Sequence, residues 1–160
     1  LQKYKISQFL EYFLLNLRNF DAMIKTNDTF SYKTIYTPED VEVFANLTGD
    51  RNPVHLNQAY AKQTEFKRPI VHGVLVIAAF SKVFGTMWPG EDSMYISQNI
   101  NFLKPVYVNE PYNIELVCTK VDRERCIGTI EGTLKDSNGE DIVSIVVRIK
   151  SNSQFSPILF

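Results

Sequence analysis

The spacing of hydrophobic positions changes three times along this chain, and the changes divide it into segments. In "ISQFLEYFLLNLRNF", Phe9, Leu10, Phe13, Leu14 and Leu17 fall on one helical face, the pattern of an amphipathic helix. Glu11, Asn16 and Arg18 break the apolar run well before the roughly 20 consecutive residues that a membrane span requires. A secretory signal needs an unbroken apolar middle and a small-residue cleavage site, and only Lys3 and Lys5 fit that template. Met23 precedes "IKTNDTFSY". Residues 1–22 therefore read as an N-terminal extension docked on the domain or on a partner subunit, and residues 23–160 as a single domain.

From Met23 onward the elements have recognisable ends. "DTFSYKTIY" alternates Phe30, Tyr32 and Ile35 with polar residues, as a short strand does. "TPEDVEVFANLTG" predicts a helix with Thr37 as N-cap, Pro38 at the first helical position and Asp40 opposing the positive end of the dipole. Its expected inner face is Val41, Phe44 and Leu47, and Gly49 ends it. "HGVLVIAAFSKVF" is nearly all apolar from Val74 to Phe80 and predicts a buried helix opening at Gly73. Beyond Pro89-Gly90 the period becomes two. "SMYISQNINFLKPVYV", "PYNIELVCTKV", "RCIGTIEGTLKD" and "EDIVSIVVRIK" read as strands, with a tight hairpin at Asn138-Gly139. Helices followed by consecutive strands predict an α+β domain, an antiparallel sheet packed on a central helix.

Composition narrows the function. At 160 residues and 44% hydrophobic content the chain suits one ordinary globular domain. The formal net charge is -1, and basic and acidic residues are interspersed, which excludes the electrostatic footprint of a nucleic-acid or anionic-membrane binder. Cys118 and Cys126 are too few for a disulfide scaffold and lack the spacing of a zinc site, which suggests a reduced, cytoplasmic chain with no metal.

Candidate chemistry concentrates in "LTGDRNPVH", Leu47 to His55. It combines an acid, a turn-forming Asn52-Pro53 pair and one of two histidines, on a stretch that suits neither a regular helix nor a regular strand. Turn chemistry would hold the backbone and present Asp50 and His55.

These residues resemble a family. "FANLTGDRNPVHLNQAYA" is similar to the signature of MaoC-type (R)-specific enoyl-CoA hydratases, whose pattern contains Gly-Asp-x-Asn-Pro-aliphatic-His and, after five intervening residues, an alanine. "RPIVHGVL" and "YISQNINFLKPVYV" resemble later segments of the same family, in order, so that the likeness covers roughly residues 28 to 150. It implies a hotdog fold, a long central helix wrapped by an antiparallel sheet, paired as a homodimer with thioester sites near the interface. It also implies that Asp50 and His55 form the acid-base dyad and that Gly73 supplies an oxyanion donor. Physical argument agrees on Gly73, since first-turn amides lack intrahelical acceptors and a glycine permits close approach. Asn52 and Pro53 would fix the separation of the dyad.

The remaining candidates have bland alternatives. His72 reads as structural, pointing into the core or capping the helix beside Gly73. Ser81 either contacts substrate or bonds a preceding carbonyl as a buried serine. Gln98 and Asn101 would line the cleft or interface. Lys67, Arg68 and Lys104 are candidates for the phosphates of coenzyme A. The expected reaction is (R)-specific hydration of trans-2-enoyl-CoA, with coenzyme A as part of the substrate and no separate cofactor. Its alternatives are a dehydratase acting on acyl-carrier-protein substrates, a thioesterase, or a non-catalytic acyl-thioester-binding module.

Overall fold

The computed structural model describes residues 23–157; the helix expected over residues 1–22 lies outside them. The described elements are β1 (Thr29–Ile35), α1 (Pro38–Thr48), α2 (Pro53–Leu56), α3 (Gln58–Gln63), α4 (Gly73–Thr86), β2 (Met94–Phe102), β3 (Pro111–Asp122), β4 (Ile127–Lys135), β5 (Asp141–Lys150) and α5 (Asn152–Phe155). The strands form one antiparallel sheet in the order β1-β3-β4-β5-β2. All of the chain between β1 and β2, α4 included, thus connects opposite edges of the sheet.

Alternation along the strands decides which face meets the helix. In β3, Tyr112, Ile114, Leu116 and Cys118 point inward; in β5, Val143, Ile145, Val147 and Ile149 do the same. These side chains enclose Val76, Ile77, Phe80, Val83 and Phe84 of α4, and the assembly is the core. No helix among the described residues is long and apolar enough to cross a membrane.

The predicted ends of α1 are present. Thr37 and Asp40 form a reciprocal capping box, and Gly49, at φ 78°, closes the helix by donating its N–H to the Ala45 carbonyl. The inner face differs from expectation: Val41 and Ala45 are buried, whereas Leu47 is 82% exposed. A spacing of four, not three, carries this helix along the core, because 3.6 residues make a turn.

Other differences bear on the site. The segment expected to be one strand from Ser93 to Val108 leaves the sheet at Phe102, where both Leu103 and Lys104 donate to the Ile142 carbonyl. Val106 then accepts from Val71 N–H and Tyr107 bridges Ile70, so "FLKPVYV" folds back against the approach to α4. The hairpin after β4 is a five-residue loop, Asp136 to Glu140, with Gly139 N–H donating to the Asp136 carbonyl and Asp136 N–H to the Glu140 carbonyl. Nor is α4 buried all round: Val74 is 70% exposed, and Ala78 and Ser81 share its open face. In hydropathy alone, a helix covered on one side and a helix covered on both look the same when the open side is also apolar.

Candidate active site

Asp50 follows directly from the αL residue Gly49, and short-range bonds shape the turn beyond it. Asp50 N–H donates to Thr48 Oγ1 (3.2 Å), and its carboxylate Oδ1 accepts from Asn52 N–H (3.3 Å). Arg51 reaches back to Glu42 and Asn46, anchoring the loop to α1. Asn52 is the N-cap of α2, its Oδ1 accepting Val54 N–H at 3.2 Å, and Pro53 takes the first helical position. His55 therefore stands on one turn of helix, where the sequence suggested a turn without regular structure. The side-chain amide of Asn52 acts through its oxygen, organising backbone between the acid and the imidazole.

His55 is fixed from the far side by the segment leading into α4. Its Nδ1 lies 2.8 Å from the Ile70 carbonyl, and Ile70 N–H donates to the Val54 carbonyl. A carbonyl only accepts, so Nδ1 carries the proton and the neutral ring keeps a lone pair on Nε2. Partial burial lowers the His55 pKa from its ordinary 6.5, with neighbouring His72 acting the same way; the Ile70 hydrogen bond and Asp50 oppose the shift.

Gly73 opens α4 beside this pair, with His72 as the N-cap residue. As the first helical residue its N–H has no intrahelical acceptor, and it stands at the positive end of a 14-residue helix. A Cβ at Gly73 would lie 3.0 Å from the Phe102 ring. A side chain here would press on that ring, and the glycine is not among the positive-φ positions. His55, Gly73 and Phe102 line one cavity of 420 Å³ with Phe66, Ile70 and Lys104.

His72 is 2% exposed and makes no side-chain capping bond, so of the two structural roles expected for it the cap is excluded. It points into the interior as expected, and there it also meets the candidate residues: its ring stacks on His55 at 3.8 Å between centroids, its Nε2 lies 3.0 Å from the Asp50 carbonyl, and the Phe44 ring lies 4.9 Å away. One ring nitrogen from each histidine and a carboxylate oxygen of Asp50 lie within 4.8 Å of one another. A single water can span groups at this separation, since hydrogen bonds are about 2.8 Å long.

Ser81 and Gln98 are not in this cluster. Both are exposed and line a separate open groove of 530 Å³ with Phe44, Val74, Ala78 and Tyr95. Ser81 is therefore not the buried, self-satisfied serine of one reading. Asn101 donates to Ser144 Oγ and serves the sheet. Of the candidate phosphate contacts, Arg68 is paired with Glu110 over the Tyr107 ring, Lys104 is paired with Glu140, and Lys67 is exposed at φ 63°. The sequence reading missed Ile70, Phe44 and Phe102. Ile70 acts through its carbonyl, which leaves no side-chain signature, while the two aromatic residues looked like ordinary core.

A model of the MaoC like domain matches residues 19–140. The (R)-specific enoyl-CoA hydratase of Aeromonas caviae is 40% identical over 91 residues, 57% of this chain and 68% of the relative. The 3-hydroxybutyryl-CoA dehydratase of Methylorubrum extorquens is 33% identical over 122 residues, 74% and 76% of the two chains. The mitochondrial 3-hydroxyacyl-[acyl-carrier-protein] dehydratase of Arabidopsis thaliana is 30% identical over 102 residues, 61% and 60% of the two. The solved structure of the A. caviae (R)-hydratase, described as involved in PHA biosynthesis, superposes with a TM-score of 0.76 at 30% identity, covering 80% of this chain and 97% of that one.

Proposed function

The chain belongs to the MaoC-like domain family, has its hotdog fold and is an enzyme of the hydratase–dehydratase kind, a carbon–oxygen lyase; on that premise we propose that it hydrates trans-2-enoyl-CoA to (R)-3-hydroxyacyl-CoA, using Asp50 and His55 on one water. The observation that carries this reading is that Asp50 and His55 converge and that His55 lines one cavity with Gly73, whose first-turn amide has no intrahelical acceptor.

Each group has a defined task. Neutral His55 accepts a proton from water at Nε2 as the water oxygen bonds to C3 of the enoyl group. The electron pair of the C2=C3 bond moves toward the thioester carbonyl, whose oxygen gains negative charge and is held by Gly73 N–H. A proton from the dyad reaches C2, the carbonyl re-forms, and the dyad returns to its starting state. One water has been added, and the balance requires no redox cofactor or metal. Asp50 receives the second hydrogen bond of the water and fixes the face from which it attacks.

The groove along α4 and β2 suits the acyl chain and a second copy of the protein. β2 is an edge strand with Met94, Tyr95, Ile96 and Phe102 exposed, and Val74 of α4 stands open beside it. A long apolar edge is a template for pairing, and a homodimer through β2 would cover it. The resemblance to a dehydratase acting on acyl-carrier-protein substrates favours a second reading, the reverse reaction on that carrier, because the same dyad serves both directions.

The test is a panel of 2-enoyl thioesters on both carriers, followed by loss of the conjugated absorbance, with chiral analysis of the product. An (R)-3-hydroxyacyl product formed preferentially on coenzyme A is expected. Release of free thiol without hydration would establish a thioesterase, and binding without turnover a non-catalytic module.

A further inference from the structure

His72 contacts both members of the dyad, and a packing role alone does not account for its arrangement. Its Nε2 meets the carbonyl of Asp50, an acceptor only, so the proton is on Nε2. Its Nδ1 is buried and has no hydrogen-bond partner among the described residues. A histidine serving only to fill space would be replaceable by a phenylalanine, which leaves no orphaned acceptor. Here the ring leaves one nitrogen unsatisfied and uses the other to hold the main chain of Asp50, with its face against His55.

We propose, resting on the hydratase reading above, that His72 is a positioning residue of the reaction: it sets the separation of the dyad by tying the Asp50 carbonyl to the face of the His55 ring. The two catalytic groups come from different elements, the loop after α1 and the single turn α2. Local bonds shape the turn between them, but His72 spans them from a third element, the start of the central helix. The same residue precedes Gly73, so the dyad and the oxyanion amide share one rigid attachment.

His55 also senses the contact. The charged and titratable groups around it are Asp50 and His72 in the cluster, Glu65 and Lys104 along one cavity, and Glu42, Arg68 and Tyr107 along another. Of these, His72 opposes protonation of His55 and Asp50 favours it.

Two variants separate the roles. His72→Phe keeps a ring against His55 and Phe44 but deletes the donor; His72→Gln keeps a donor but deletes the stack. The chain has two histidines, so in each variant every histidine ring signal belongs to His55. In His72→Phe, kcat should fall about 10- to 100-fold with KM nearly unchanged, as expected when reacting groups shift slightly out of line. In His72→Gln part of that loss should return. In both, the His55 ring should titrate at higher pH and the acid limb of the rate profile should move with it.

Ring ¹⁵N–¹H correlation spectra of the unmodified protein give a check that does not depend on the variants folding. They should show one histidine protonated at Nδ1 and the other at Nε2. Folded variants that keep kcat within twofold and an unshifted His55 titration would overturn the proposal, as would two Nδ1-protonated rings in the unmodified protein. An unmodified enzyme that hydrates no enoyl thioester would instead overturn the hydratase reading itself.

Discussion

The corner holding the dyad and the groove along α4 and β2 share a helix but are built differently. At the corner, His55 is bonded to Ile70, Asn52 to Val54, Asp50 to Asn52 and His72 to Asp50, all within one chain. Along the groove, Ser81 and Gln98 are exposed, and neither side chain has a hydrogen-bond partner among the described residues. In the proposed reaction, chemistry that needs sub-ångström placement is held by a closed network, whereas a flexible acyl chain is left to an apolar surface. Substitutions at the corner should therefore act on kcat, and substitutions in the groove on KM and chain-length preference.

The largest effects belong to the dyad. Asp50→Asn and His55→Gln preserve shape but remove proton-transfer capacity, and each should lower kcat by about 10²- to 10⁴-fold with little change in melting temperature. In the proposed mechanism the groups share one water, so the two losses should not multiply. A double variant showing the full product of the single effects would mean that they act independently, and the closed-network description of the corner would fail with it.

Gly73 comes next. A valine there retains the amide but drives a branched side chain into the Phe102 ring, already 3.0 Å from the place of a Cβ. kcat/KM should fall by about 10²-fold, comparable to losing an oxyanion donor. Adding Phe102→Ala should recover part of the loss by giving the side chain room. Failure of that rescue, measured on folded protein, would show that the thioester itself needs the space beside Gly73.

How much of this was legible in the sequence follows the same division. The ends of α1 were readable because capping chemistry is local: Thr37, Asp40 and Gly49 act within one or two turns. Asp50, Asn52 and His55 were marked as candidates by a motif that keeps its residues at fixed spacing, and Gly73 by the separate segment "RPIVHGVL". Contacts between distant segments left no such trace. Nothing local in "RPIVHGVL" indicates that the Ile70 carbonyl orients His55 or that His72 reaches Asp50, since those bonds join residues 15 and 22 positions apart. The open face of α4 was hidden for another reason: Val74 and Ala78 are apolar whether they meet the core, a substrate or another subunit.

The pH profile offers a smaller effect with a definite sign. In the proposed reaction His55 acts as base only when Nε2 is unprotonated, so the rate should fall as pH drops through its pKa. Burial and the neighbouring His72 lower that value, and kcat/KM should therefore persist to pH below 6.5 before its acid limb appears. Stability has the same sign: the unfolded chain binds a proton near the ordinary value while the folded one resists it, so this contribution is lost as pH falls below 6.5. A limb at or above 6.5 would mean that the Ile70 hydrogen bond and Asp50 together outweigh burial and His72.

The smallest effects belong in the groove, and they test the comparison most directly. Ser81→Ala and Gln98→Ala remove exposed polar groups whose side chains bond nothing among the described residues, so stability should change by no more than about 0.5 kcal/mol. kcat on a short-chain substrate should stay close to that of the unmodified enzyme, because the corner is untouched. The response should appear in KM, and it should grow with acyl length: a longer chain covers more of the surface formed by Val74, Ala78, Ser81 and Tyr95. At about 0.8 kcal/mol per buried methylene, each further carbon that reaches the groove should alter affinity roughly fourfold in the unmodified enzyme. Both alanine variants should change that slope rather than its intercept. If either lowers kcat on the shortest substrate as deeply as on the longest, the groove is coupled to the dyad, and the division between a closed corner and an open groove does not hold.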